Sequence, residues 1–399
     1  MPTNAAPLSG LTVLDFTRVL SGPYCTMLLA DMGARVIKIE QPGRGDDTRA
    51  WGPPFVNGES SYFLSINRNK ESLTLDLKSP SVRPIIDSLL ERADVVVENF
   101  RPGTMERLGL SYESLAIQHP RLVYCSISGF GQTGPRSAEP GYDAVMQGEA
   151  GLMSITGPAD GPPYRLGVAI ADIVSGMFAA QGVALALLAR ERTGRGQRVD
   201  IGMLDATAAL LTYQAGIYFA TGTTPGRMGN RHPTIVPYET FAASDGDFVV
   251  AVGNDEQWRR FCRIIDASDL AGDERFATNR ARVMNYDALR PLLAERLRAR
   301  ARVAWVEALK AAGVPCGSVR NVSEALVDQQ LDARGMVETV DHVSAGAIRV
   351  LGVPIKLSDT PGGVRSAPPA LGQHTEAILR DDCGLTAQQI ETLRSNKVI

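Results

Sequence analysis

Thr12-Val13-Leu14-Asp15-Phe16, the loop Ser21-Gly22-Pro23, the run Tyr24 to Met32 and Arg35-Val36-Ile37-Lys38-Ile39-Glu40 read as strand, loop, helix and strand. Ser21 is placed to cap the helix, and Pro23 fits its first turn, where a missing N–H costs little. The pattern then recurs. Leu73-Thr74-Leu75-Asp76-Leu77 is strand-like, Val82 to Arg92 has amphipathic helical spacing, and Asp94-Val95-Val96-Val97-Glu98 has the apolar run of a buried strand. Short helices are predicted near Thr104 to Leu108 and from Ser111, before a strand at Leu122-Val123-Tyr124-Cys125-Ser126-Ile127. Strands alternating with helices form parallel βαβ units, so the fold class is α/β, an open parallel sheet covered on both faces. Ligands of such sheets sit at the carboxyl ends of the strands.

The texture changes near Tyr238. Tyr238 to Ala242 and Asp247 to Val252 flank Ser244-Asp245-Gly246, a hairpin signal, and helical spacing follows at Glu256 to Ile265, Tyr286 to Arg300 and Ala304 to Ala312. The expected organisation is a large α/β domain over residues 1–224, a smaller inserted α+β domain over 225–325 entered through Thr221 to Gly229, and a return to the large domain over 326–399. Ile348 to Pro354 carries that return.

Composition narrows the function classes. With 44% hydrophobic and 21% charged residues and a net charge of −3, the chain has the balance of a globular enzyme and no global field to attract nucleic acid. Cys25, Cys125, Cys262, Cys316 and Cys383 are scattered, form no CxxC or Cys/His cluster, and read as reduced thiols with no metal site. Met1 to Pro7 lacks the basic and apolar regions of a signal peptide. The most apolar stretch, near Gly182 to Leu188, is too short for a membrane span and ends in Arg190-Glu191-Arg192. A cytoplasmic protein without membrane partners is expected.

Asp172 is the candidate for chemistry. It stands in Gly167-Val168-Ala169-Ile170-Ala171-Asp172-Ile173-Val174-Ser175-Gly176, between a strand-like apolar run and a long helix. A carboxylate there is either an N-cap or a nucleophile. Glu40 at a strand end invites a dinucleotide reading, but Arg18 to Pro23 holds a single Gly where GxGxxG is wanted, which argues against NAD. Arg68, Lys70, Lys78, Arg101 and Arg107 cluster near the early strand ends, as a solvated face or as a polyanion site.

Leu8 to Phe16, Gly33 to Gly43, Asp94 to Gly103, Gly141-Tyr142-Asp143, the Asp172 segment, Thr193 to Asp200 and Leu371 to Thr375 stand in the order of one family. Over residues 8 to about 376 the chain resembles the class III CoA-transferases, the CaiB/BaiF family. The resemblance implies a Rossmann-like large domain, an interlocked ring-like homodimer, coenzyme A and acyl-CoA as substrates, and no tightly bound cofactor. It implies that Asp172 attacks the donor thioester to give a mixed anhydride and then an aspartyl-CoA thioester. It further implies that Val19 and Leu20 lie along the CoA arm, and that Leu75 to Lys78, Asn99, Phe100, Arg101 and Arg107 meet adenine and phosphates. Gly141, Tyr142 and Asp143 would line the pantetheine channel.

The family's branches differ in small ways. Oxalate-specific members carry a basic residue where this chain has Gln41, Gln where it has Leu20, and a glycine run where it has Gly229 to Tyr238. The resemblance is therefore closer to the branch using succinyl-CoA and dicarboxylates such as glutarate or malate, with formyl-CoA:oxalate-type and carnitine-type transfer as alternatives. Arg231 and His232 suit a distal carboxylate, or are ordinary polar residues of a loop. The α-methylacyl-CoA racemases pair a His with the Asp. Here that position is Tyr142, whose phenol is too weak a base near neutrality, so transfer is the better reading. His374 lies in a family motif but is read as a structural hydrogen-bonding residue, and His119 and His342 receive no role.

Overall fold

The structure, a computed structural model, describes residues 5–399. The first four residues of the stretch read as lacking a signal peptide lie outside them. The described chain divides into two compact units. The first takes the residues up to Leu152, Arg165–Gly216 and Gln329–Ile399, and the second takes Met153–Tyr164 and Ile217–Asp328.

The first unit is built on a six-stranded parallel sheet of β1 (Thr12–Asp15), β2 (Arg35–Glu40), β3 (Lys70–Thr74), β4 (Val95–Glu98), β5 (Val123–Ser128) and β6 (Arg198–Gly202). The spatial order is β3-β2-β1-β4-β5-β6. That is the doubly wound order, and it reverses direction between β1 and β4. Alternate strand residues sort into two cores because successive side chains point to opposite faces. Leu14, Ile37, Leu73, Val96 and Tyr124 pack on one face with the helix α2 (Arg83–Leu90). Val13, Val36, Val95, Val97 and Cys125 pack on the other, with α1 (Ser21–Asp31) and the long α5 (Ile170–Thr193). Between them in the chain lie α3 (Tyr112–Gln118) and α4 (Asp143–Glu149).

The structure corrects several expectations. The third strand begins three residues earlier than Leu73, at Lys70. β6, with Val199 and Ile201 as its apolar residues, had not been expected as a strand. No strand precedes Asp172: α5 starts at Ile170, so Asp172 lies inside its first turn. Nor is α5 short. Its 24 residues are long and apolar enough to cross a membrane by length and composition alone. Yet one side is packed into the sheet core through Ala171, Val174, Ala179 and Val183.

The second unit holds a three-stranded antiparallel sheet, β7 (Tyr238–Ala242), β8 (Asp247–Ala251) and β9 (Cys316–Ser318), in the order β9-β8-β7. The helices α6 (Asp255–Ile264), α7 (Tyr286–Leu297) and α8 (Arg302–Ala311) bury Trp258, Phe261, Leu293 and Trp305 against it. Trp305 satisfies its indole N–H on the Leu297 carbonyl at 2.7 Å.

Candidate active site

At the switch point, the loops after β1 and β4 diverge and leave a cleft at the carboxyl ends of the strands. It is lined by Val19, Ser21, Asn99, Phe100, Arg101, Gly141, Tyr142 and Asp172, among others. Asp172 comes to it because two helices touch backbone to backbone. A Cβ on Gly176, one turn after Asp172, would lie 2.6 Å from the Ser21 carbonyl oxygen of α1, so only glycine permits this approach. The Ser21 hydroxyl and backbone N–H, at the start of α1, stand close enough to Asp172 to favour its charged form. Asp172 is thus no cap of its own helix. Asp143 takes that place, accepting from Ala171 N–H at 2.9 Å.

Burial raises the Asp172 carboxyl most, Asp143 raises it further, and the Ser21 donors pull it back only in part. The result is a carboxyl pushed up to about 7. Tyr62, on the short helix Ser61–Ile66, is raised to about 12 by burial and then by the charges of Asp172 and Asp143.

Gly141 is fixed by a second close approach, since a Cβ there would lie 2.6 Å from the Gly129 Cα. Tyr142 is 68% exposed and free to meet a ligand. Leu75 and Lys78 line a second cleft that shares Phe100 with the first. Arg107 lines a third that shares Lys78 with the second. The structure therefore brings Val19, Asn99, Phe100, Arg101, Gly141, Tyr142 and Asp172 together, and ranges Leu75, Lys78 and Arg107 beyond them. Leu20 and Asp143 line none of these three clefts. Leu20 is buried beneath the loop, and the Asp143 carboxylate is used by Ala171 and by Gln147 at 2.8 Å.

Two cations of the supposed polyanion cluster are misplaced. Arg68 is buried on Asp31 at 2.6 Å and Lys70 on Asp15 at 3.2 Å, near the amino end of β3. They are internal ion pairs. Arg231 and His232 lie in the second unit. The Arg231 guanidinium covers the Tyr286 ring at 3.5 Å, and His232 stacks on Tyr238 at 5.2 Å. His374 Nδ1 accepts from Ser72 N–H at 3.1 Å, a structural bond tying the C-terminal segment to β3. Ser21, expected to cap α1, is instead its first residue, with Leu20 at the N-cap and no side-chain cap bond. Gly176 had been given no role, although a glycine inside a long helix was a signal.

Fold and cleft define a doubly wound α/β protein with a half-buried carboxylate of raised pKa at its switch point, beside clefts edged by exposed arginine and lysine. The pattern of CoA-transferase family III matches residues 8–375. A succinyl-CoA:glutarate CoA-transferase of Mus musculus is 41% identical, over 98% of this chain and 90% of the relative. An acetyl-CoA:oxalate CoA-transferase of Acetobacter aceti is 44% identical, over 94% of this chain and 95% of the relative. A crystal structure of a CaiB/BaiF family protein from Brucella suis superposes with a TM-score of 0.85 at 42% identity, covering 95% of this chain and 100% of that one. The chain belongs to CoA-transferase family III, and it is a CoA-transferase.

Proposed function

We propose that this CoA-transferase moves CoA from succinyl-CoA to a dicarboxylate, with Asp172 as the nucleophile. The observation that carries the reading is the half-buried Asp172 carboxylate, set in the cleft beside Ser21 at the mouth of α1. Its oxygen attacks the thioester carbonyl, the C–S bond breaks, and CoA leaves as thiolate from a succinyl-aspartyl anhydride. The thiolate attacks the aspartyl carbonyl, releasing succinate and leaving an aspartyl-CoA thioester. The acceptor carboxylate then displaces the thiolate to form a second anhydride. The thiolate attacks the acceptor's carbonyl, giving the new thioester and restoring Asp172. Holding the carboxylate beside the thioester makes each step effectively unimolecular. The α1 N-terminal amides offer donors to the oxyanions.

In this reading the clefts lined by Leu75, Lys78, Phe100, Arg101 and Arg107 take the nucleotide and phosphates, and Val19, Gly141 and Tyr142 flank the arm. The small second unit, read as the inserted domain, carries Arg231 and His232 for the distal carboxylate of the acceptor. The active form is an interlocked homodimer. The apolar side chains Met177, Phe178, Leu185 and Leu188, exposed along α5, support an intersubunit face. The protein works in the cytoplasm with no tightly bound cofactor. A second reading, oxalate as acceptor, is favoured by the Acetobacter aceti relative. Incubating the protein with succinyl-CoA and glutarate, malate, oxalate or a carnitine-like acid separates the two, with new thioesters followed by mass beside Asp172→Ala. A new dicarboxyl-CoA absent in the variant supports the first reading, and exchange with oxalate alone replaces it with the second. No exchange despite bound succinyl-CoA excludes that donor.

A further inference from the structure

The loop Thr17 to Ser21 is held from beneath nearly atom by atom. Asp15 accepts from Thr17 N–H at 2.9 Å, and Lys38 Nζ donates to the Thr17 carbonyl at 2.8 Å. Asn99 accepts from Arg18 N–H at 2.9 Å and donates back to its carbonyl at 2.7 Å. Asp46 Oδ1 accepts from Val19 N–H at 3.2 Å. The other Asp46 oxygen pairs with Lys38 at 2.9 Å, and both side chains are fully buried. Glu40 in turn accepts from Asp46 N–H at 2.9 Å. The loop gripped in this way contains a strained residue. Val19 has φ 69°, a left-handed conformation that a β-branched side chain disfavours and that persists only where surroundings impose it. Two residues later, Ser21 lines the same cleft as Asp172, its backbone packed directly against the Asp172 helix at Gly176.

We propose that Asp46, oriented by Lys38, is a positioning residue for the transfer: its carboxylate pins Val19 in the left-handed conformation that sets Ser21 beside Asp172. The proposal rests on the reading of Asp172 as nucleophile. Freed from Asp46, Val19 relaxes toward extended backbone, the following peptide turns, and Ser21 leaves the carboxylate. Asp172 then faces Asp143 from α4 and Tyr62 from its short helix without the donors that favour its charged form.

The test compares two double variants. Lys38→Met with Asp46→Asn and Lys38→Met with Asp46→Leu both remove the buried ion pair, but only the first keeps an oxygen for Val19 N–H. In the leucine variant kcat is expected to fall about 10- to 100-fold, the scale of a misplaced reacting group. Its acid limb in the kcat–pH profile should move to higher pH, with KM for succinyl-CoA held within about threefold. The asparagine variant should keep the acid limb in place. Equal kcat and equal limbs in the two variants overturn the proposal. Where circular dichroism shows the leucine variant unfolded, Asp46→Glu decides, since it keeps the charge pair and displaces the oxygen by one methylene. An unmoved limb there overturns the proposal too. Asp172→Asn run alongside separates the two ideas. Transfer surviving in it removes the nucleophile and the clamp together, whereas an inactive Asp172→Asn with matched double variants removes only the clamp.

Discussion

Asp15, fully buried, and Asp172, half-buried, are carboxylates near the carboxyl ends of the same sheet, and their surroundings drive them apart. Burial raises both. Around Asp15, Lys70 and Lys38 outweigh it, and hydrogen bonds from Thr17 and Thr26 help bring the carboxyl down to about 2. Around Asp172 no lysine or arginine is among the groups that shift it, a second acid presses on it, and the carboxyl is pushed up to about 7. The first is a compensated charge that holds strands together. The second is an uncompensated one, eased only in part by Ser21. Titratable groups separated in this way mark where a protein spends stability on chemistry.

The largest way to break this contrast is Asp172→Asn, expected to lower transfer by about 10³-fold or more, as for loss of a covalent nucleophile. Acyl-CoA exchange read by mass checks it, and near-native exchange would erase the distinction between the two aspartates. Next, Asp15→Asn should cost about 3–5 kcal/mol in urea unfolding by stranding the buried Lys70, while kcat per folded molecule changes little. Loss of activity without loss of stability would make Asp15 part of the reaction instead.

The third effect has opposite signs for the two sites. Asp15 contributes stability above the unfolded carboxylate range, and that contribution disappears as pH falls toward 2. Asp172 binds its proton more tightly when folded, so its contribution is lost as pH rises from about 4 to 7. Asp172→Asn should therefore be more stable than the parent at pH 8, by about 1–3 kcal/mol, while wild-type kcat falls about tenfold per unit below pH 7. Unfolding curves at pH 5 and 8 and a kcat–pH profile test both halves. The smallest effect is Arg107→Ala, which should raise KM for the acyl-CoA about 3- to 10-fold with kcat kept, a salt-sensitive loss of an exposed phosphate contact.

The sheet was legible where pattern is local. Val95-Val96-Val97 and Arg35 to Glu40 announce buried parallel strands because apolar residues fill both faces. β6 was not legible, since Val199 and Ile201 alternate with Arg198 and Asp200 and gain their strand only from pairing with β5. Asp172, Asn99, Arg101 and Tyr142 were found from motif order, and the structure does gather them at one cleft. The fates of Arg68 and Lys70 were hidden because a basic residue carries no mark of its partner, and Asp31 and Asp15 lie 37 and 55 residues away. The burial of Asp46 and Lys38 under the loop escaped for the same reason.

Phe100 belongs to the walls of two clefts and Lys78 to the walls of two, so the three hollows form a graduated track from Asp172 to Arg107. Such a track measures length. A truncated thioester occupies the first mark and leaves the others empty, and binding energy from the remote end is what a reacting end needs for alignment. With CoA laid along these clefts as proposed, the molecule judges how long its donor is, as well as what the donor carries.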